Sequence, residues 1–190
     1  MAPMYRRGRR SASLLAAPGR ACVLYRRVWY FLGVPDQGAW MRIMLDSNIH
    51  DLIVANPAAC DAVKRSIEDG RLKLVSTHVQ HDELKRAPEP KRTTLLEIYD
   101  LAELRPTNGA VFDVSRWDQC KFGTDEENGS INVLMGGNPK HAEDALIAAT
   151  ASSEADALVT NETRLASKIK RAGFSADVWS WSEFASWLGL

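Results

Sequence analysis

Four acids in this chain stand where an acid is costly. Asp46 closes an apolar run of strand type in "MRIMLDSNI", residues 41–49. An ionised side chain at the tip of a buried strand is unfavourable unless donors or a cation compensate it. Asp46 therefore either caps the helix that follows or helps to hold a cation. Glu83, in "HDELKR" (81–86), shares a helical stripe with Val79 and Ala87, four residues to either side. Asp144 lies in the first two turns of "KHAEDALIAATASSEA" (140–155), so apolar beyond that point that the helix is expected to be buried on most sides. Glu162 follows "ALVTN" (157–161). Taken singly, each acid has an ordinary structural reading as a cap, a surface ion pair or a first-turn acid favoured by the helix dipole. Spacing separates neither Asp144 from Glu143 nor Glu83 from Asp82. Acids at neighbouring strand ends repel one another unless a divalent cation sits between them. An all-oxygen donor set suits Mg2+ or Mn2+.

The elements that must position these acids alternate. A strand is expected over 42–46. Asn56-Pro57 starts a helix carried by Cys60, Val63 and Ile67 and closed by Gly70. A second strand follows over 72–76. Thr77 and Gln80 then form a capping box for the helix bearing Glu83. Helical spacing resumes after Pro90 with Leu95, Leu96, Tyr99 and Leu104. Residues 111–114 are expected as a short strand, 115–122 as a short helix and 123–139 as a polar loop. Asn138-Pro139 starts the buried helix, a strand covers 157–160, and a helix runs to Gly173. A last strand over 175–180 and a closing helix complete the chain. Such alternation predicts an α/β fold: three α/β/α layers around a central, mostly parallel sheet. In these sheets ligands gather beyond the carboxyl ends of the strands, where Asp46 and "TNE" (160–162) fall.

Composition narrows the class. Of 190 residues, 45% are hydrophobic and 25% charged, ordinary for one soluble domain. No apolar run approaches the ~20 residues of a membrane helix. Cys22, Cys60 and Cys120 are far apart with no C-x-x-C, which reads as reduced thiols in a cytoplasmic protein. His50, His78, His81 and His141 form no zinc pattern. No glycine-rich phosphate loop is present, and Asp46-Ser47-Asn48 lacks the second acid of a D-x-D phosphohydrolase. Residues 1–40 differ from the rest. Seven arginines against the single acid Asp36 give them a balance of +6, and residues 41–190 carry −6. They are expected to be a basic, mostly disordered extension with a short helix near 21–32, the domain beginning at Met41.

"MLDSNI", "HDEL", "EDALIAATA" and "ALVTNETRLA" occur in the order and spacing of a PIN domain, and from 41 to about 180 the chain resembles that family. The resemblance implies a metal-dependent ribonuclease, with VapC-type toxins of bacterial toxin–antitoxin pairs as the related class. It implies Mg2+ or Mn2+ bound by Asp46, Glu83 and Asp144. Glu162 stands where the family usually has Asp, one methylene shorter. Asn48, Thr160 and Asn161 match polar positions around such sites. RNA is the implied substrate, an antitoxin protein and a second copy the implied partners. An acidic site repels RNA, so basic groups are needed at its rim. Lys85, Arg86, Lys140, Arg164 and Lys168 are the candidates. The competing reading is a PIN-like module that binds RNA or protein with weak or no catalysis.

Overall fold

Period-two alternation in three short strands sets the architecture. A computed structural model describes residues 40–190, and the expectations for residues 1–39 lie outside the described residues. In β1 (Met41–Leu45), Met41, Ile43 and Leu45 enter one core and Met44 the other. β2 (Leu72–Ser76) divides the same way, with Leu72 and Leu74 on one side and Val75 opposite. β6 (Ala157–Val159) sends Leu158 to the Met44 side. Alternate side chains of a strand point to opposite faces, so a sheet with two apolar faces must be covered twice.

Helices supply both covers. On one face pack α1 (Ser47–Val54), α2 (Pro57–Glu68) and α8 (Trp181–Leu188), through Ile49, Ile53, Val63 and Phe184. Ile98 of α4 (Lys91–Tyr99) joins them. The other face takes α5 (Asp125–Met135), α6 (Ala142–Glu154) and α7 (Thr163–Ala172), through Ile131, Leu134, Leu146, Ile147, Leu165 and Ile169. Val79 of α3 (His78–Lys85) joins that core. The fold is α/β, with three layers.

With β3 (Glu103–Leu104) and β7 (Asp177–Trp179), the main sheet runs β3-β2-β1-β6-β7, every pairing parallel. The chain builds outward from β1 to β3, then returns to lay β6 and β7 on the other side. β1 and β6 are therefore the switch point, where the loops beyond the strand ends part and leave room for a ligand.

Three expectations between 105 and 139 are corrected. Residues 111–114 form turns, with Asp113 at φ 64°, and not a strand. Residues 115–122 are turns ending in a two-residue strand, not a helix. That strand, β5 (Cys120–Lys121), pairs in parallel with β4 (Thr107–Asn108). The polar loop is α5. Its Ile131 and Leu134 fall at i and i+3, which suffices to bury one face although Gly129 and a run of acids precede it.

Gly109 marks where α5 presses on the β4 turn. Its φ is +91°, and a Cβ there would run into Ile131 Cδ1. Gly109→Ala should lower stability by about 1–3 kcal/mol, measured as the urea midpoint. An unchanged midpoint would contradict the placement of α5 against this turn.

Candidate metal centre

Asp46 follows β1 directly and is the N-cap of α1, its side chain accepting from the Ser47 N–H at 2.8 Å. Its other oxygen accepts from Asn48 Nδ2 at 2.6 Å and from Thr160 Oγ1 at 2.6 Å. All three partners donate. Thr160 follows β6, so its bond to Asp46 spans the switch point. The backbone does the same, Asp46 N–H donating to the Val159 carbonyl at 2.9 Å. Asp46 is 6% exposed. It is thus both helix cap and buried acid at the carboxyl edge of the sheet. Beneath it lies His50, whose Nδ1 is 3.2 Å from the Asp46 carbonyl. Burial lowers the His50 pKa to about 4, leaving a neutral imidazole at pH 7.

Glu83 is fixed to the same edge through the start of α3. The Gln80 amide donates to the Leu45 carbonyl, the last of β1, at 2.5 Å, and its oxygen accepts from the Thr77 N–H at 2.7 Å. The expected capping box therefore also ties α3 to β1. Glu83, one turn further on, accepts from the Ser47 hydroxyl beside Asp46. Burial pushes the Glu83 pKa up to about 7. The Ser47 bond opposes that rise, and the neighbouring Glu143 and Asp46 carboxylates add to it.

Within "HDEL" and "AEDAL", ion pairs distinguish the neighbouring acids. Asp82 turns to Arg116, whose Nη2 lies 2.6 and 2.8 Å from its two oxygens. Glu143 turns to Arg86, with contacts of 2.7 and 3.3 Å, and that guanidinium holds it below the usual carboxylate range. Glu83 and Asp144 face the acids instead. Asp144 is raised to about 6, first by burial and then by the charges of Glu162 and Asp46, with His141, 4.0 Å away, opposing.

Glu162 is exposed at the start of α7, its N–H donating to Thr160 Oγ1 at 3.0 Å. Asn48 is exposed beside Asp46, and the Asn161 oxygen is taken by the Trp181 N–H at 2.9 Å. Lys85 and Lys140 are exposed. Lys168 donates to the Leu134 carbonyl at 3.2 Å and, with Arg164, lines a cavity of about 220 Å3 beside His141, Asp144 and Glu162. Arg86, read from the sequence as a rim cation, is engaged by Glu143.

Sequence reasoning missed Glu143 and Arg86 as a pair of this site. Nothing local signals a contact between residues 57 positions apart. The bond from Ser47 to Glu83, 36 positions away, likewise has no local signal.

Among the described residues, no group of three or more His, Cys, Asp or Glu side chains stands arranged to hold a metal ion. The donor chemistry nevertheless fits a hard divalent cation. Asp46, Glu83, Asp144 and Glu162 are all oxygen donors, and Asp144 and Glu83 each feel the charge of other acids in the set. Repulsion between half-buried carboxylates is what such a cation relieves.

No model of a known protein family matches the chain, and no curated protein matches it. Among solved structures, one chain of the crystal structure of VapBC2 from Rickettsia felis bound to a DNA fragment from their promoter aligns over 74% of this chain and 99% of its own. The identity is 16% and the TM-score 0.43. The fold class rests on the strand order itself.

The two raised carboxyls have a consequence for stability in EDTA. Each binds its proton more tightly when folded than at its ordinary value of 4.5 or 3.8. Their contribution is therefore complete at low pH and lost as pH rises towards about 7 for Glu83 and about 6 for Asp144. Glu83→Gln should flatten the fall of the unfolding midpoint across that window. A variant whose pH profile parallels the parent would contradict the burial and repulsion assigned to Glu83.

Proposed function

We propose that this chain is a Mg2+- or Mn2+-dependent endoribonuclease with a PIN-like site. The observation that carries the reading is the Asp46–Thr160 bond at the switch point, with Glu83 and Asp144 sensing the Asp46 charge from two further elements. When bound, the cation would supply an activated water and offset the charge gathering on the phosphate. Asp46, Glu83 and Asp144 would hold it, with Glu162 contributing from the rim. Thr160 and Asn48 orient the Asp46 carboxylate, and Ser47 orients Glu83. Hydrolysis adds water across the P–O3′ bond and leaves a 5′-phosphate and a 3′-hydroxyl, with no covalent enzyme intermediate. Arg164, Lys168, Lys140 and Lys85 would offset the phosphate charges on either side.

A second reading is favoured by one observation. Among the described residues the acids form no three-donor group, as expected of a PIN-like module that binds RNA or protein with weak or no catalysis. We further propose that the protein is the toxin of a type II toxin–antitoxin pair in the cytoplasm, with an antitoxin and a second copy as partners. That assignment rests on the motif resemblance. No helix among the described residues is long and apolar enough to cross a membrane.

Cleavage of single-stranded RNA in Mn2+, lost in EDTA, is the expected result. Asp46→Asn and Asp144→Asn should each lower the rate at least ~100-fold, since removing a metal donor costs several kcal/mol of transition-state stabilisation. RNA left intact in Mn2+ by the parent protein would favour the binding module.

A further inference from the structure

Three aromatic side chains are placed at variance with the hydrophobic effect. Phe112, Trp117 and Phe122 are 91%, 86% and 83% exposed. Apolar residues scattered singly over a surface need no explanation, but these three project from one segment, between β4 and α5. The segment is fixed at both ends and in the middle. The Thr107 N–H donates to the Gln119 carbonyl at 2.9 Å and the Gly109 N–H to the Lys121 carbonyl at 3.1 Å. The Val111 N–H donates to Ser115 Oγ at 2.9 Å, and Val111 and Val114 pack against the core. Just after Phe122, Asn128 Nδ2 donates to the Gly123 carbonyl at 3.0 Å. A frame ordered in advance lowers the entropic cost of any contact the rings make.

Charge selects the occupant. The two cations of the segment, Arg116 and Lys121, are neutralised by Asp82 and Glu154. Asp113, Asp118 and Asp125 alternate with the rings along the chain and are exposed, and none has an ion-pair partner among the described residues. The surface around the rings is therefore negative. It repels a nucleic-acid backbone or an anionic lipid surface, and a second copy seated face to face would set acid against acid. A cation gains there, and a guanidinium gains most. It is planar, stacks on aromatic faces and donates paired hydrogen bonds to carboxylates. Trp117 and Phe122 meet edge to face at 6.2 Å, so their faces are not spent on each other.

We propose that this segment docks an arginine-bearing stretch of another protein, its guanidinium groups stacked on Trp117 and the two phenylalanines and paired with Asp113, Asp118 and Asp125. Three aromatic side chains offer roughly 450–750 Å2. That is the scale of a small, transient interface, and it suits a short stretch of chain better than a folded partner. The inference does not depend on the nuclease reading, since none of these residues belongs to the candidate metal centre.

The test uses the full chain and a fluorescently labelled peptide of Arg-Gly repeats, with binding read by anisotropy. A Lys-Gly peptide of the same length and an oligouridylate serve as comparisons. Saturable binding of the arginine peptide is expected, with the lysine peptide weaker by several-fold. Trp117→Ala should weaken the arginine peptide about 3- to 30-fold, and Trp117→Phe should recover most of that loss, because a ring remains. Asp113→Asn with Asp118→Asn should weaken it about 2- to 10-fold and flatten its salt dependence. Substitutions at side chains this exposed should leave the unfolding midpoint in place, which excludes misfolding as the cause. Unchanged affinity in Trp117→Ala overturns the proposal, as does equal affinity for the lysine peptide. Oligouridylate binding that is lost in Trp117→Ala assigns the rings to RNA and overturns it. Self-association lost in Trp117→Ala, by sedimentation, with peptide affinity unchanged assigns them to a second copy and overturns it. So does a parent protein that binds no arginine peptide.

Discussion

The hydrogen bond from Thr160 to Asp46 is the constraint on which the candidate site depends. A carboxylate at the end of a buried strand must be answered by donors. Here they come from its own turn and from the neighbouring strand end, 114 residues away in sequence. The same bond closes the parallel sheet at the point where its two halves diverge. Gln80 then ties the third contributing element to the last carbonyl of β1. One strand end thus sets the positions of α1, α3 and the start of α7, and with them Asp46, Glu83 and Glu162.

Charge is sorted around this point. Asp82 and Glu143, the acids adjacent in sequence to Glu83 and Asp144, are paired with Arg116 and Arg86, and Glu143 stays in contact with Glu83 as well. Glu83 and Asp144 are left facing other carboxylates, and burial and repulsion make them hold protons unusually tightly. Arginine salt bridges at partly exposed positions contribute little to stability. Their consequence here is local: Arg86 and Arg116 each neutralise one acid beside the cluster. A cluster kept in this state gains from a divalent cation in a way that a set of solvated surface acids would not.

Much of the fold could be read from local chemistry. Asn56, Thr77 with Gln80, and Ser180 with Glu183 form caps in the structure. Asn56 and the Thr77–Gln80 box were legible beforehand because the donors and acceptors lie within four residues of each other. Alternation in 72–76 and the apolar run after Asp144 located β2 and α6 for similar reasons. Residues 105–139 were not legible. A two-residue parallel ladder is too short to have a period, and the stripe of α5 is only a few residues long behind a glycine and acids. That Asp82 and Glu143 carry arginine partners while Glu83 and Asp144 do not depends on Arg116 and Arg86, distant residues that no local pattern reveals.

We propose that Asp46, Glu83 and Asp144 together take one divalent cation, the mutual repulsion of their carboxylates being what the cation relieves. Calorimetric titration of Mn2+ into the metal-free full chain, between the Asp144 and Glu83 values of about 6 and about 7, tests it directly. The account predicts saturable binding with release of protons to the buffer, both abolished in Asp46→Asn. Absence of saturable binding, or binding that survives that substitution with its proton release intact, would contradict it.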